Sequence, residues 1–126
     1  MSAFKPKHVV VYALWAQDVP ATTHFYRDTI GLDLLPQHGH YPAFDLGHGS
    51  HLVIVRGQPA LEPAAAHRPF PQIAFAVEDL DKAIAHLQTC GVGLEGDAKT
   101  SQDTRWVVFR DPAGNLIEFA QFNTID

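Results

Sequence analysis

One stretch of this chain occurs twice, in different letters but with the same punctuation, and a duplication of that kind decides the architecture before any single element is assigned. The first copy runs Val10, Tyr12, Leu14, Ala16, then Asp18, then a helical stretch ending at Gly31. The second runs Ile73, Phe75, Val77, then Asp79, then a helical stretch ending at Gly91. From Asp18 to Gly31 is 13 residues and from Asp79 to Gly91 is 12. Each copy opens on alternating apolar positions, so each predicts a strand with one face on a helix layer. Asp18 and Asp79 stand where a carboxylate caps a helix start, and Pro20 falls in the first turn, where its missing donor is not needed. The second helix carries its core stripe at Leu80, Ala83, Ile84 and Leu87, and the first at Ala21, Phe25, Tyr26 and Ile30. Gly31 and Gly91 suit left-handed helix ends.

Short strands between turn residues follow each helix, which predicts antiparallel hairpins. In copy one, Tyr41 to Leu46 and His51 to Arg56 flank Gly47-His48-Gly49-Ser50. In copy two, Arg105 to Arg110 and Asn115 to Phe122 flank Asp111-Pro112-Ala113-Gly114, a sequence suited to a type I turn. Further strands are expected near Leu32 to Leu35 and Val92 to Glu95. Four of nine prolines lie between Gly57 and Pro71, which reads as a linker. The expected organisation is βαβββ twice in a single domain over 1–126: module one about 7–57, linker 58–71, module two about 72–123.

The 126 residues are 46% hydrophobic, enough for a core, and the single cysteine cannot form an internal disulfide. A net charge of −5 with no basic block makes nucleic acid an unexpected partner. The longest apolar run, Val9 to Ala16, is far shorter than a membrane helix needs, and no charged leader precedes an apolar run at the N-terminus. A soluble, cytoplasmic protein without membrane contact is expected.

Asp18 with Phe25-Tyr26-Arg27-Asp28 and Gly31-Leu32, the echo Ile73-Ala74-Phe75 with Asp79-Leu80-Asp81 and Gly91-Val92, and above all Phe109-Arg110-Asp111-Pro112-Ala113-Gly114-Asn115-Leu116-Ile117-Glu118 resemble the vicinal oxygen chelate superfamily. That group includes glyoxalase I, extradiol dioxygenases, fosfomycin-resistance transferases and bleomycin-resistance proteins. The resemblance covers nearly the whole chain, and the Asp-Pro-x-Gly-Asn-x-x-Glu ending is its most specific part. It implies an α+β fold of two βαβββ modules whose curled mixed sheets surround a cleft, within a homodimer.

Enzymes of this family hold a divalent metal through His, Glu or Gln at four strand positions. The resemblance places these at Val11, Ile54, Gln72 and Glu118, two of which are aliphatic. Catalytic metal sites commonly use three protein ligands. Gln72 and Glu118 alone make a weak site unless a displaced histidine joins them, so the expected cofactor is none or a weakly bound divalent metal. Of the eight histidines, His38 and His40 would share one side of an extended segment, whereas His48, His51 and His67 read as exposed turn or linker residues. His8 is three residues from Val11 and has the wrong parity.

On the same alternation the cleft is lined by Val11, Ala13 and Trp15; Leu52, Ile54 and Arg56; Gln72, Ala74 and Ala76; Trp106, Val108 and Arg110; and Leu116, Glu118 and Ala120. That lining suits a small molecule with an apolar body and one or two polar groups. Trp15 and Trp106 either stack on it or fill the core. The expected ligand-binding residues are Trp15, Ile54, Arg56, Gln72, Trp106, Val108 and Arg110. Glu118, among aliphatic side chains, is expected to have a raised pKa and to serve as acid or base, unless Arg110 or Arg56 pairs with it. Cys90 is expected to be a small buried residue.

The leading expectation is a small-molecule-binding protein of the glyoxalase and bleomycin-resistance type with a degenerate metal site. Two alternatives are a metal-dependent lyase or dioxygenase using Gln72, Glu118 and a displaced histidine, and a metal-free isomerase using Glu118 as acid and base. Whether the protein is an enzyme is left open by the residues alone.

Overall fold

The computed structural model describes residues 4–36, 41–58 and 71–122. The chain divides into two units, Met1–Gln58 and Pro59–Asp126. His38, His40, His67 and all of the expected linker but Gln58 and Pro71 lie outside the described residues.

The first unit runs β1 (Val11–Ala16), α1 (Val19–His24), a π-helical continuation (Phe25–Ile30), β2 (Asp33–Leu34), β3 (Ala43–Gly47) and β4 (Ser50–Arg56). The second runs β5 (Ile73–Ala76), α2 (Leu80–Thr89), β6 (Lys99–Ser101), β7 (Thr104–Arg110) and β8 (Leu116–Phe122). Each unit holds a mixed four-stranded sheet, in the orders β1-β4-β3-β2 and β5-β8-β7-β6. In both, the first strand lies parallel to the last and the remaining pairs are antiparallel. The fold is α+β, two βαβββ units.

The helices start alike because the same residue type solves the same problem. Asp18 accepts from Ala21 N–H at 3.0 Å and Asp79 from Lys82 N–H at 3.1 Å, satisfying amides that have no partner within the helix. Gln121 on β8 accepts from the Leu80 N–H at 2.7 Å, tying the start of α2 to the sheet. The helices end differently. After α2, Gly91 at φ +79° lets its own N–H reach Gln88 O and the Val92 N–H reach Leu87 O. In the first unit the residue in excess between Asp18 and Gly31 is taken up by the π-helical stretch, whose wider turns close over five residues instead of four. Gly31 N–H accordingly bonds to Tyr26 O, five residues back.

That change of period also moves the buried stripe. Thr22 and Tyr26 face the core, whereas Ala21 is exposed and Phe25 and Ile30 are half-buried, so the stripe expected at Ala21, Phe25, Tyr26 and Ile30 is only partly formed. Tyr26 packs on Phe44, with ring centroids 6.2 Å apart, beside Leu14, Ala16, Leu52 and Ile54. In the second unit Phe109 and Phe119 meet at 4.8 Å within a core that includes Leu80, Leu87, Val107 and Ile117.

Strand expectations hold near the hairpins and fail once. Over Val92 to Glu95 only a single bridge forms, Leu94 with Phe109, and the edge strand lies at Lys99–Ser101. Gly93 and Gly96 weaken pairing in the earlier segment, and Gly96 adopts φ +115°. Lys-Thr-Ser is an exposed polar edge with no apolar alternation to mark it. Cys90, expected to be buried, is exposed on the last turn of α2.

Phe109→Ala removes a fully buried ring from the second core and is expected to cost about 3–5 kcal/mol. Val10→Ala, at an exposed position, is expected to change stability by less than about 0.5 kcal/mol. Urea unfolding of both variants checks the contrast.

Candidate functional site

Each sheet has one face under its helix and one face without it, and pairing assigns every side chain to a face because successive residues alternate. In the second unit Ile117, Phe119, Val107 and Phe109 take the helix side. Ala74, Ala76, Trp106, Val108, Arg110, Leu116, Glu118 and Ala120 therefore share the other side, and Gln72 continues that row just before β5, its N–H donating to Leu116 O at 2.8 Å.

Glu118 sits mid-strand on this face. Ala74 is beside it on β5 and Val108 on β7, with Leu116 and Ala120 before and after it along β8. Its position depends on the turn between β7 and β8. Asp111, buried, accepts from the N–H groups of Ala113 and Asn115 at 2.9 Å each and from Asn115 Nδ2 at 3.0 Å. Gly114 N–H closes the type I turn on Asp111 O at 2.9 Å, and Gly114 then adopts φ +91°. This fixes Arg110 opposite Leu116 and hence Val108 opposite Glu118. A slip of one residue would turn Glu118 into the core.

The Glu118 carboxyl is half-buried among aliphatic groups, and this loss of water raises its pKa above the usual carboxylate range. Among the described residues no cation pairs with it. Arg110 donates through Nε to Glu95 at 3.2 Å and through Nη1 to Gly114 O at 2.8 Å, so it braces the turn. Arg56 donates to Gln17 O at 3.2 Å in the other unit.

In the first unit the face expected along β4 is corrected by one residue. Leu52 and Ile54 are fully buried on the helix side with Leu14 and Phe44, and Arg56 follows their parity at the strand end. The helix-free face instead carries Val11, Ala13 and Trp15 with His51, Val53 and Val55, since β1 pairs Val11 with His51 and Ala13 with Val53. The duplication gives the same answer. Ala13 and Ala74 each lie five residues before the capping Asp; Ala74 pairs with Glu118 and Ala13 with Val53. Val53 is thus the counterpart of Glu118, and Ile54 is a core residue.

Trp15 is 49% exposed, and its ring lies against Gly57, where a Cβ would collide with it. His51, expected as an exposed turn residue, is half-buried on β4 opposite Val11, on the helix-free face. His8 stands near the β3–β4 turn, its Nε2 3.8 Å from where a Gly49 Cβ would be.

Within the second unit, Gln72 and Glu118 offer one neutral amide and one carboxylate, fewer donors than a tightly held divalent ion takes, and the corresponding positions of the first unit, Val11 and Val53, are hydrocarbon. Among the described residues no group of three His, Cys, Asp or Glu converges.

A family model described as the Glyoxalase/Bleomycin resistance protein/Dioxygenase superfamily matches residues 5–119. Among solved structures, the antibiotic-binding protein TnmS3 from Streptomyces sp. CB03234 is 29% identical with a TM-score of 0.75, covering 95% of this chain and 99% of its own. The lactoylglutathione lyase from Agrobacterium tumefaciens is 25% identical with a TM-score of 0.71, covering 93% and 95%. A glyoxalase family protein from Bacillus anthracis, at 22% identity and a TM-score of 0.74 over 96% and 99%, is similar in fold.

Because the folded state disfavours the Glu118 charge, stability contributed by the protonated form is lost as pH rises through its raised pKa. Glu118→Gln is expected to be more stable than the wild type at pH 7, with the gap closing as the pH falls below the ordinary carboxylate range. Thermal melts across that range check it. Asp111→Ala is expected to cost about 1–3 kcal/mol through unpaired turn amides, measured by urea unfolding.

Proposed function

The chain belongs to the Glyoxalase/Bleomycin resistance protein/Dioxygenase superfamily, and from that premise we propose that it binds a small organic molecule on the helix-free face of its second sheet without a tightly held metal. The observation that carries this reading is Glu118, a half-buried carboxylate with no cation beside it among the described residues. Such a group is costly to keep unless a ligand supplies its partner. Ala74, Ala76 and Ala120 keep the surroundings shallow, and Trp106 offers an indole on the same face. A flat, largely apolar compound bearing a hydrogen-bond donor or a positive charge matches that arrangement, with Trp106 and Val108 against its body, Glu118 on its polar group and Gln72 at the margin. TnmS3 supports the reading, since it is an antibiotic-binding protein that matches this chain over 99% of its own length.

Trp15 stands exposed on the helix-free face of the first sheet, Ile54 is confined to the core, and Arg56 and Arg110 act as braces, each within its own unit. The protein works in this reading as a cytoplasmic homodimer. Exposed Phe4, Val9, Val11 and Trp15 suit a face covered by a second subunit, and an exposed single thiol suits a reducing compartment.

The upward shift of the Glu118 pKa by burial supports a second reading, a metal-free isomerase in which this carboxylate takes and returns a proton. A metal-dependent lyase or dioxygenase finds less support in a donor set of one amide and one carboxylate.

Screening planar aromatic amines and phenols by quenching of tryptophan fluorescence tests the binding reading. Binding is expected to weaken about tenfold or more in Glu118→Gln and in Trp106→Ala. Equal affinity in both variants overturns it. Metal analysis of the purified protein is expected to find no stoichiometric ion dependent on Glu118, and turnover lost in Glu118→Gln would favour the isomerase.

A further inference from the structure

The helix-free face of the second sheet does not end at Trp106. The edge strand β6 pairs Lys99 with Trp106 and Ser101 with Thr104, and partners in a ladder project to the same side of the sheet. The opposite side is identified independently. Arg105, between Thr104 and Trp106, donates to Asp81 of α2 at 3.2 Å, and Gln121, its partner on β8, accepts from the Leu80 N–H at 2.7 Å. Lys99 therefore shares the face of Glu118, with Trp106 between them. Two strands across and two residues along, the Cα atoms of Lys99 and Glu118 are roughly 12 Å apart on ordinary sheet spacings.

Opposite charges thus stand apart on one face. Among the described residues Glu118 has no cation beside it, and Lys99, exposed, has no carboxylate beside it. Arg110, the other cation of this face, is engaged by Glu95 and by the Gly114 carbonyl. An edge lysine ordinarily keeps a strand from pairing with another chain, a role that does not depend on its register. Here the register does more: it sets the lysine next to Trp106 and across that residue from Glu118.

We infer that Lys99 is a specificity residue of this face, and that the ligand it selects is a flat zwitterion with a positive group for Glu118 at one end and a carboxylate for Lys99 at the other. The inference rests on the ligand-face reading above and narrows it, because a compound with a cationic end alone satisfies Glu118 and leaves Lys99 in water. The body between the two ends lies against Trp106. Lys99 carries its charge on a flexible four-carbon stem, so its ammonium follows an acidic group along this edge of the face. Its pairing stays open to solvent and contributes selectivity more than affinity.

The test is a calorimetric titration of the full-length chain with two biphenyls, each bearing an aminomethyl group at one end and either a carboxylate or a carboxamide at the other. The wild type is expected to bind the carboxylate about threefold to fivefold more tightly at low salt and to lose most of that preference at high salt, as an exposed ion pair does. Lys99→Gln is expected to bind both compounds with the affinity the wild type shows for the carboxamide, and Lys99→Arg to keep the preference. Glu118→Gln is expected to weaken both compounds alike. Far-UV circular dichroism confirms that the variants fold. Equal binding of the two compounds by the wild type at low salt, or a preference that persists in Lys99→Gln, overturns the role of Lys99 and leaves the ligand face standing. If neither compound binds the wild type, the ligand-face reading fails and this inference falls with it.

Discussion

A strand has two faces, and in each half of this chain a helix takes one of them. Everything that happens on the other face is set by the parallel pairing of the first strand with the last. That pairing puts Ala74 beside Glu118 in one unit and Ala13 beside Val53 in the other. A shift of one residue in either would exchange hydrocarbon for polar groups across the whole sheet. The shift is resisted from both ends of β8. Asp111 locks the turn before it, and Gln121 near its end holds the first amide of α2.

Much of this was legible in the sequence because it rests on residues that act locally. Asp18 and Asp79 announce helix starts, Gly91 announces an end, and Asp111 to Gly114 announces a turn whose hydrogen bonds need no distant partner. The face of Glu118 follows from that turn by counting. What escaped depended on tertiary context. His-Leu-Val-Ile-Val-Arg is apolar on both sides, so nothing within β4 says which set meets the helix, and it is Leu52 and Ile54 that do. The polar edge Lys99–Ser101 and the exposure of Cys90 likewise leave no periodic trace.

The two sheets put equivalent positions to different use. Where the second places a carboxylate, the first places a valine, and where the second has Gln72, the first has Val11. The duplication has kept the scaffold while giving hydrocarbon to these two positions in the first half. Among hydrocarbons, a carboxylate serves better as a partner for an incoming polar group than as an anchor for an ion that needs several ligands.

The π-helical stretch over Phe25–Ile30 shows how such halves can drift apart without losing their sheets. One surplus residue in a strand would invert every side chain beyond it, whereas in a helix it only widens a turn. The first helix therefore behaves as slack in the chain: changes in length collect there, and the strands on either side keep step.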